Sequence, residues 1–66
     1  MKAKLLATAP TVDGITEMVN RYWYSDNYRV NPDTLAIEHP SKIVSGYQIR
    51  LVKGRYRFEC IPSMKD

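Results

Sequence analysis

Apolar and polar residues alternate from Tyr47 to Leu51 and again from Arg55 to Cys60, with Val52-Lys53-Gly54 between the two runs. A period of two is the signature of a strand with one dry face and one wet face. The gap predicts a two-residue hairpin turn at Lys53-Gly54, where Gly54 takes the positive φ that such a turn demands. That turn fixes the register: Val52 opposes Arg55, Leu51 opposes Tyr56, Arg50 opposes Arg57, Ile49 opposes Phe58, Gln48 opposes Glu59 and Tyr47 opposes Cys60. Tyr47, Ile49, Leu51, Tyr56, Phe58 and Cys60 then share an apolar face. Arg50 stands against Arg57 on the other, with Arg55 and Lys53 at the tip.

A different period governs Thr11 to Ser25. Ile15, Met18, Val19, Tyr22 and Trp23 recur at i, i+3, i+4, i+7 and i+8, which predicts one helix with a continuous apolar stripe, extended a turn by Val12. Thr11 and Asp13 both qualify as its N-cap. Pro10 bars extension backwards, and Ser25-Asp26-Asn27 ends it.

Between helix and hairpin, Asn31-Pro32-Asp33-Thr34 carries the residues of a type I turn, so Tyr28–Val30 and Leu35–Glu38 are expected to form a short hairpin. The register of the second strand is open. His39-Pro40-Ser41-Lys42 turns the chain again. Gly46 before the long hairpin suggests a bulge. The expected fold is α+β: one N-terminal helix packed on a three- or four-stranded antiparallel β-meander. It forms a single domain over residues 1–66, with 1–9 a short edge strand or a flexible arm and 63–66 a frayed tail.

At 66 residues the chain has room for one helix on one sheet and none for a deep active site. A composition 44% hydrophobic and 26% charged argues against wholesale disorder. The lone Cys60 cannot form an internal disulfide, which favours a reducing, cytoplasmic setting, and its position predicts burial on the apolar hairpin face. Met1 to Ala9 has two lysines and an Ala-Thr-Ala stretch, but its apolar part is too short for a signal peptide. No run is long enough to span a membrane.

The net charge of +3 favours acidic partners only weakly, so the distribution matters more than the total. Like charges directly opposite on a sheet are mildly destabilising, and the Arg50–Arg57 pair therefore calls for a reason. An anionic ligand is one, because the arginine fork suits phosphate and carboxylate. The competing reason is internal: Glu59, diagonal to Arg50 and next but one to Arg57, offsets the pair, with Glu38 a second candidate. The candidate anion-binding or nucleic-acid-binding residues are Arg50, Lys53, Arg55 and Arg57. Tyr24 and Tyr28 are candidate interface aromatics, while Tyr22 and Trp23 read as core.

His39 lacks the partners that catalysis or metal binding requires, and the acidic residues and serines form no paired or nucleophile pattern. No catalytic residues, metal ligands or cofactor are expected. The sequence therefore reads as a non-enzymatic binding module whose basic sheet face meets an anionic partner, nucleic acid first. The alternatives are a small inhibitor or adaptor on an acidic protein surface, and a homo-oligomeric unit paired through a strand edge or the open sheet face.

Overall fold

The computed structural model describes residues 3–61. In chain order they form β1 (Lys4–Ala9), α1 (Val12–Tyr22), β2 (Arg29–Val30), β3 (Ile37–His39), β4 (Lys42–Ile43), β5 (Tyr47–Val52) and β6 (Arg55–Cys60). The class is α+β, but the strands do not make one meander. They form two antiparallel three-stranded sheets, ordered β1-β6-β5 and β2-β3-β4.

The long hairpin has the register that alternation demands, all six pairs from Tyr47↔Cys60 to Val52↔Arg55. Lys53 at φ 53° and Gly54 at φ 80° both lie in the left-handed region, the geometry whose twist matches flanking strands. Of the two readings for residues 1–9, the strand is the one formed from Lys4 onward. β1 pairs with β6 through Leu5↔Glu59, Ala7↔Phe58, Thr8↔Arg57 and Ala9↔Tyr56, with a bulge at Leu6. The chain's first strand thus makes β6 the central strand, which converts a hairpin into a sheet.

The helix is shorter than its apolar stripe. Thr11 is the N-cap: its Oγ1 accepts from the Gly14 N–H at 3.0 Å. At the other end the Tyr24 N–H donates to the Arg21 carbonyl and the Ser25 N–H to the Asn20 carbonyl, with Tyr24 left-handed at φ 52°. These two bonds are those of a Schellman motif, which stops the helix at Tyr22 rather than Ser25. Asn20 then ties down the returning chain. Its side-chain amide donates to the Tyr28 carbonyl at 3.0 Å and accepts from the Tyr28 N–H at 2.8 Å.

The expected short hairpin exists as β2–β3, with Arg29 opposite Glu38 and Val30 opposite Ile37. Its loop is longer than a four-residue turn. Asn31 Oδ1 accepts from the Asp33 and Thr34 N–H groups, and the Leu35 N–H reaches the Asn31 carbonyl at 2.7 Å, with Leu35 at φ 62°. Gly46, expected as a bulge, is a corner between sheets: Ile43 pairs with Glu38 in the small sheet, and the Gly46 carbonyl accepts from the Ile61 N–H at 2.8 Å.

Helix and small sheet together cover the inner face of β1-β6-β5. Ile15, Val19 and Phe58 are fully buried, joined by Ala9, Tyr28, Val30 and Ile49. Cys60, expected to be buried on this face, lies at its end and is half-buried. Met18 and Tyr22, on the helix stripe, are partly exposed at the margin. No described helix or strand lies over the outer face. No helix among the described residues is long and apolar enough to cross a membrane. The expected tail at 63–66 lies outside the described residues.

Candidate anion-binding face

Strand alternation sends Gln48, Arg50, Arg55, Arg57 and Glu59 to the outer face, and the β1 register adds Leu5 and Thr8. Glu59 is the centre of this group. Although it stands on the uncovered face, its side chain is only 2% exposed, because its neighbours' side chains lie over it. Burial of an ionised carboxylate is tolerable only when its lone pairs are filled, and here they are. Oε1 accepts from Gln48 Nε2 at 2.7 Å and Arg50 Nε at 2.9 Å. Oε2 accepts from Arg50 Nη2 at 3.0 Å and Arg57 Nε at 2.7 Å.

The hydrogen bond from Arg50 is the main cause that draws the Glu59 carboxyl down to about 2. Burial opposes this, and the bonds from Arg57 and Gln48 reinforce it. The same pairing raises Arg50 above its already high value. The carboxylate is charged at any physiological pH, and the two arginines facing each other are bridged rather than merely opposed.

Bridging uses only part of each guanidinium. Arg50 engages Nε and Nη2 and leaves Nη1 without a partner among the described residues. Arg57 engages Nε alone and leaves both terminal nitrogens so. Arg50 is 53% exposed and Arg57 33%. Farther along the face, Arg55 Nη2 donates to Thr8 Oγ1 at 3.2 Å, which directs it across the sheet, and Lys53 is exposed in the turn. Two cations hold one buried carboxylate, and two more stand toward the hairpin tip. Guanidinium donors held in this way have the chemistry to receive an anion.

The candidate residues divide accordingly. Arg50, Arg55 and Arg57 share the face, with Lys53 at its tip. Glu38, the second candidate for offsetting the arginines, sits in the small sheet, 3.7 Å from Arg29. Tyr28 is buried and stacks on Trp23 at 4.5 Å between centroids, so it offers no ring to a partner. Tyr24 is 97% exposed but lines a groove with Asp13, Glu17, Arg21 and Asp26 on the solvent side of α1, apart from Arg50, Arg55 and Arg57. His39 packs on Tyr28, and its Nδ1 accepts from the Ser41 N–H at 3.2 Å.

Sequence reasoning missed Thr8, Leu5 and the part played by Gln48. The first two required the β1–β6 register, which no turn specifies. Gln48 was legible, since the hairpin register already set it opposite Glu59. No protein-family model, curated protein or solved structure matches the chain.

Proposed function

We propose that this chain is a small non-enzymatic binding module whose outer β1-β6-β5 face contacts nucleic acid through the phosphate backbone. One observation carries the reading: Arg50 and Arg57 are held side by side on one carboxylate, with Arg50 Nη1 and both Arg57 terminal nitrogens left without a partner among the described residues, on a face that no described helix or strand covers. Arginine held this way loses little rotamer freedom when it meets an anion, and its planar fork matches two phosphate oxygens. Arg55 and Lys53 extend the positive surface along the hairpin. Glu59 lowers the total charge of the face without reversing it.

The test is fluorescence anisotropy with labelled nucleic acid over a salt series. Four cationic contacts correspond to a slope of log affinity on log salt of about −3 to −4. Arg50→Glu combined with Arg57→Glu is expected to abolish binding at low salt. Contacts to phosphate carry no base information, so affinity should vary little with sequence. Absence of binding by the unaltered chain at low salt ends the reading. A partner retained after nuclease treatment, and lost with the arginines, would instead make the face a grip for an acidic protein surface.

A further inference from the structure

Resting on that reading, the geometry points to double-stranded nucleic acid as the ligand, held by its phosphates on a guanidinium pair for which Glu59 is the positioning residue. The first half follows from what the face lacks. Unspecific single-strand binders need aromatic rings on which successive bases stack. Around the arginines stand Leu5, Thr8, Gln48 and Val52, with no ring among the described residues of that face. The aromatic side chains are on the inner side, where Trp23, Tyr28, Tyr47 and Phe58 pack on one another, or on the far side of the helix, where Tyr24 lies. A face that offers charge and no stacking surface gains most from the anion of highest charge density. A duplex presents one charge per ~1.7 Å of axis, where each strand by itself presents one per ~3.4 Å.

The second half follows from how the arginines are held. Both Nε atoms are anchored to one carboxylate, at 2.9 and 2.7 Å, so the two guanidinium groups share a common fixed point. Without that anchor two guanidinium groups on adjacent strands would repel and splay. Glu59 thus acts through Arg50 and Arg57 and touches no phosphate itself. This has a consequence opposite in sign to simple charge counting. Glu59→Gln removes a negative charge from the face, which on Coulomb grounds alone would tighten binding. It also sets an amide N–H against the guanidinium N–H groups, which releases the forks.

Anisotropy with a labelled DNA duplex of about 20 base pairs, an RNA duplex of the same sequence and each separated strand tests both halves. The unaltered chain is expected to bind at least one duplex about tenfold more tightly than its strands, a difference of about 1.4 kcal/mol. The two duplexes distinguish which sugar the backbone carries. Glu59→Gln is expected to weaken duplex binding about fivefold to tenfold, and Arg57→Lys, which keeps the charge but not the fork, to weaken it similarly with the salt slope unchanged. Strands bound as tightly as the duplex would overturn the choice of ligand, and duplex binding kept or tightened in Glu59→Gln would overturn the positioning role. If Glu59→Gln loses its far-ultraviolet circular dichroism, Arg57→Lys decides alone, and unchanged affinity there overturns it. Failure of every nucleic acid to bind at low salt is a different outcome, since it removes the functional reading on which this one stands.

Discussion

Glu59 and Tyr24 show how single residues set both stability and its dependence on conditions. The Glu59 carboxyl is held at about 2 in the fold against an ordinary value of 4.5, chiefly by the hydrogen bond from Arg50. A depressed value means that the unfolded chain takes up a proton before the folded one does. The stabilisation is therefore complete above about 4.5 and is lost as pH falls from there toward about 2. Urea denaturation across that range should show stability declining in the unaltered chain and a flatter profile in Glu59→Gln. Equal slopes would mean that another carboxylate governs acid unfolding. At neutral pH the same substitution should cost about 1–3 kcal/mol, the range for a charged hydrogen bond lost at a buried site. Tyr24 presents the opposite situation. It occupies the left-handed position of the Schellman motif at φ 52°, where glycine is favoured, and its ring is 97% exposed and contributes no buried area. Tyr24→Gly should raise stability by about 0.5–1 kcal/mol, read from the denaturation midpoint at constant slope. A loss instead would show that the ring makes a contact worth more than the backbone strain.

At the scale of elements, the β5–β6 hairpin is the part that dictates its own geometry. Its turn is Lys53-Gly54, and Lys53 adopts φ 53°, a conformation that asparagine tolerates better than lysine. Lys53→Asn should therefore stabilise the fold by roughly 0.5 kcal/mol, raising Tm by about 2–4 °C for a domain of this size, as measured by thermal denaturation. No rise, with the register intact, would mean that the turn carries no strain to relieve. This self-sufficiency explains why the register of Arg50 against Arg57, and the proximity of Glu59 to both, were legible from alternation and two turn residues. Other elements depend on partners distant in sequence. β1 reads as Lys-Leu-Leu-Ala-Thr-Ala, with no period of two, because Leu6 is a bulge that changes facing midway. The helix end is set by Tyr24, a residue type that gives no stop signal. Gly46 carries a signal for positive φ, but whether it bulges a strand or turns a corner depends on Ile61 reaching its carbonyl. Local chemistry was visible in the chain; tertiary pairing was not.

For the molecule as a whole, the division into two sheets raises the question of whether they fold as one unit. The small sheet has strands of two or three residues and would not persist alone, since isolated short strands bury too little to offset their ordering. Its stability must come from what it shares with the larger sheet, and Trp23 lies at that junction. Its indole stacks on Tyr28, which leads into β2, at 4.5 Å and 23°, and meets Tyr47 of β5 and Phe58 of β6 edge-on or tilted at 4.8 and 5.6 Å. Val30 of β2 is buried in the same core as Ile49 and Phe58, and Asn20 fastens Tyr28 to the helix that covers the larger sheet. Trp23 thus touches residues on both sides, and Val30 shares a core with Ile49 and Phe58, so the two sheets are coupled through side chains rather than through a backbone ladder. Unfolding should accordingly be a single cooperative transition. Fluorescence of Trp23, which reports the junction, and far-ultraviolet circular dichroism, which reports strands and helix, should give the same urea midpoint and slope. In Val30→Ala, which opens a cavity on the small-sheet side and should cost about 1–3 kcal/mol, both signals should move together. A fluorescence midpoint falling below the dichroism midpoint would show the small sheet detaching first, and the proposed binding face would then rest on the β1-β6-β5 sheet and helix alone.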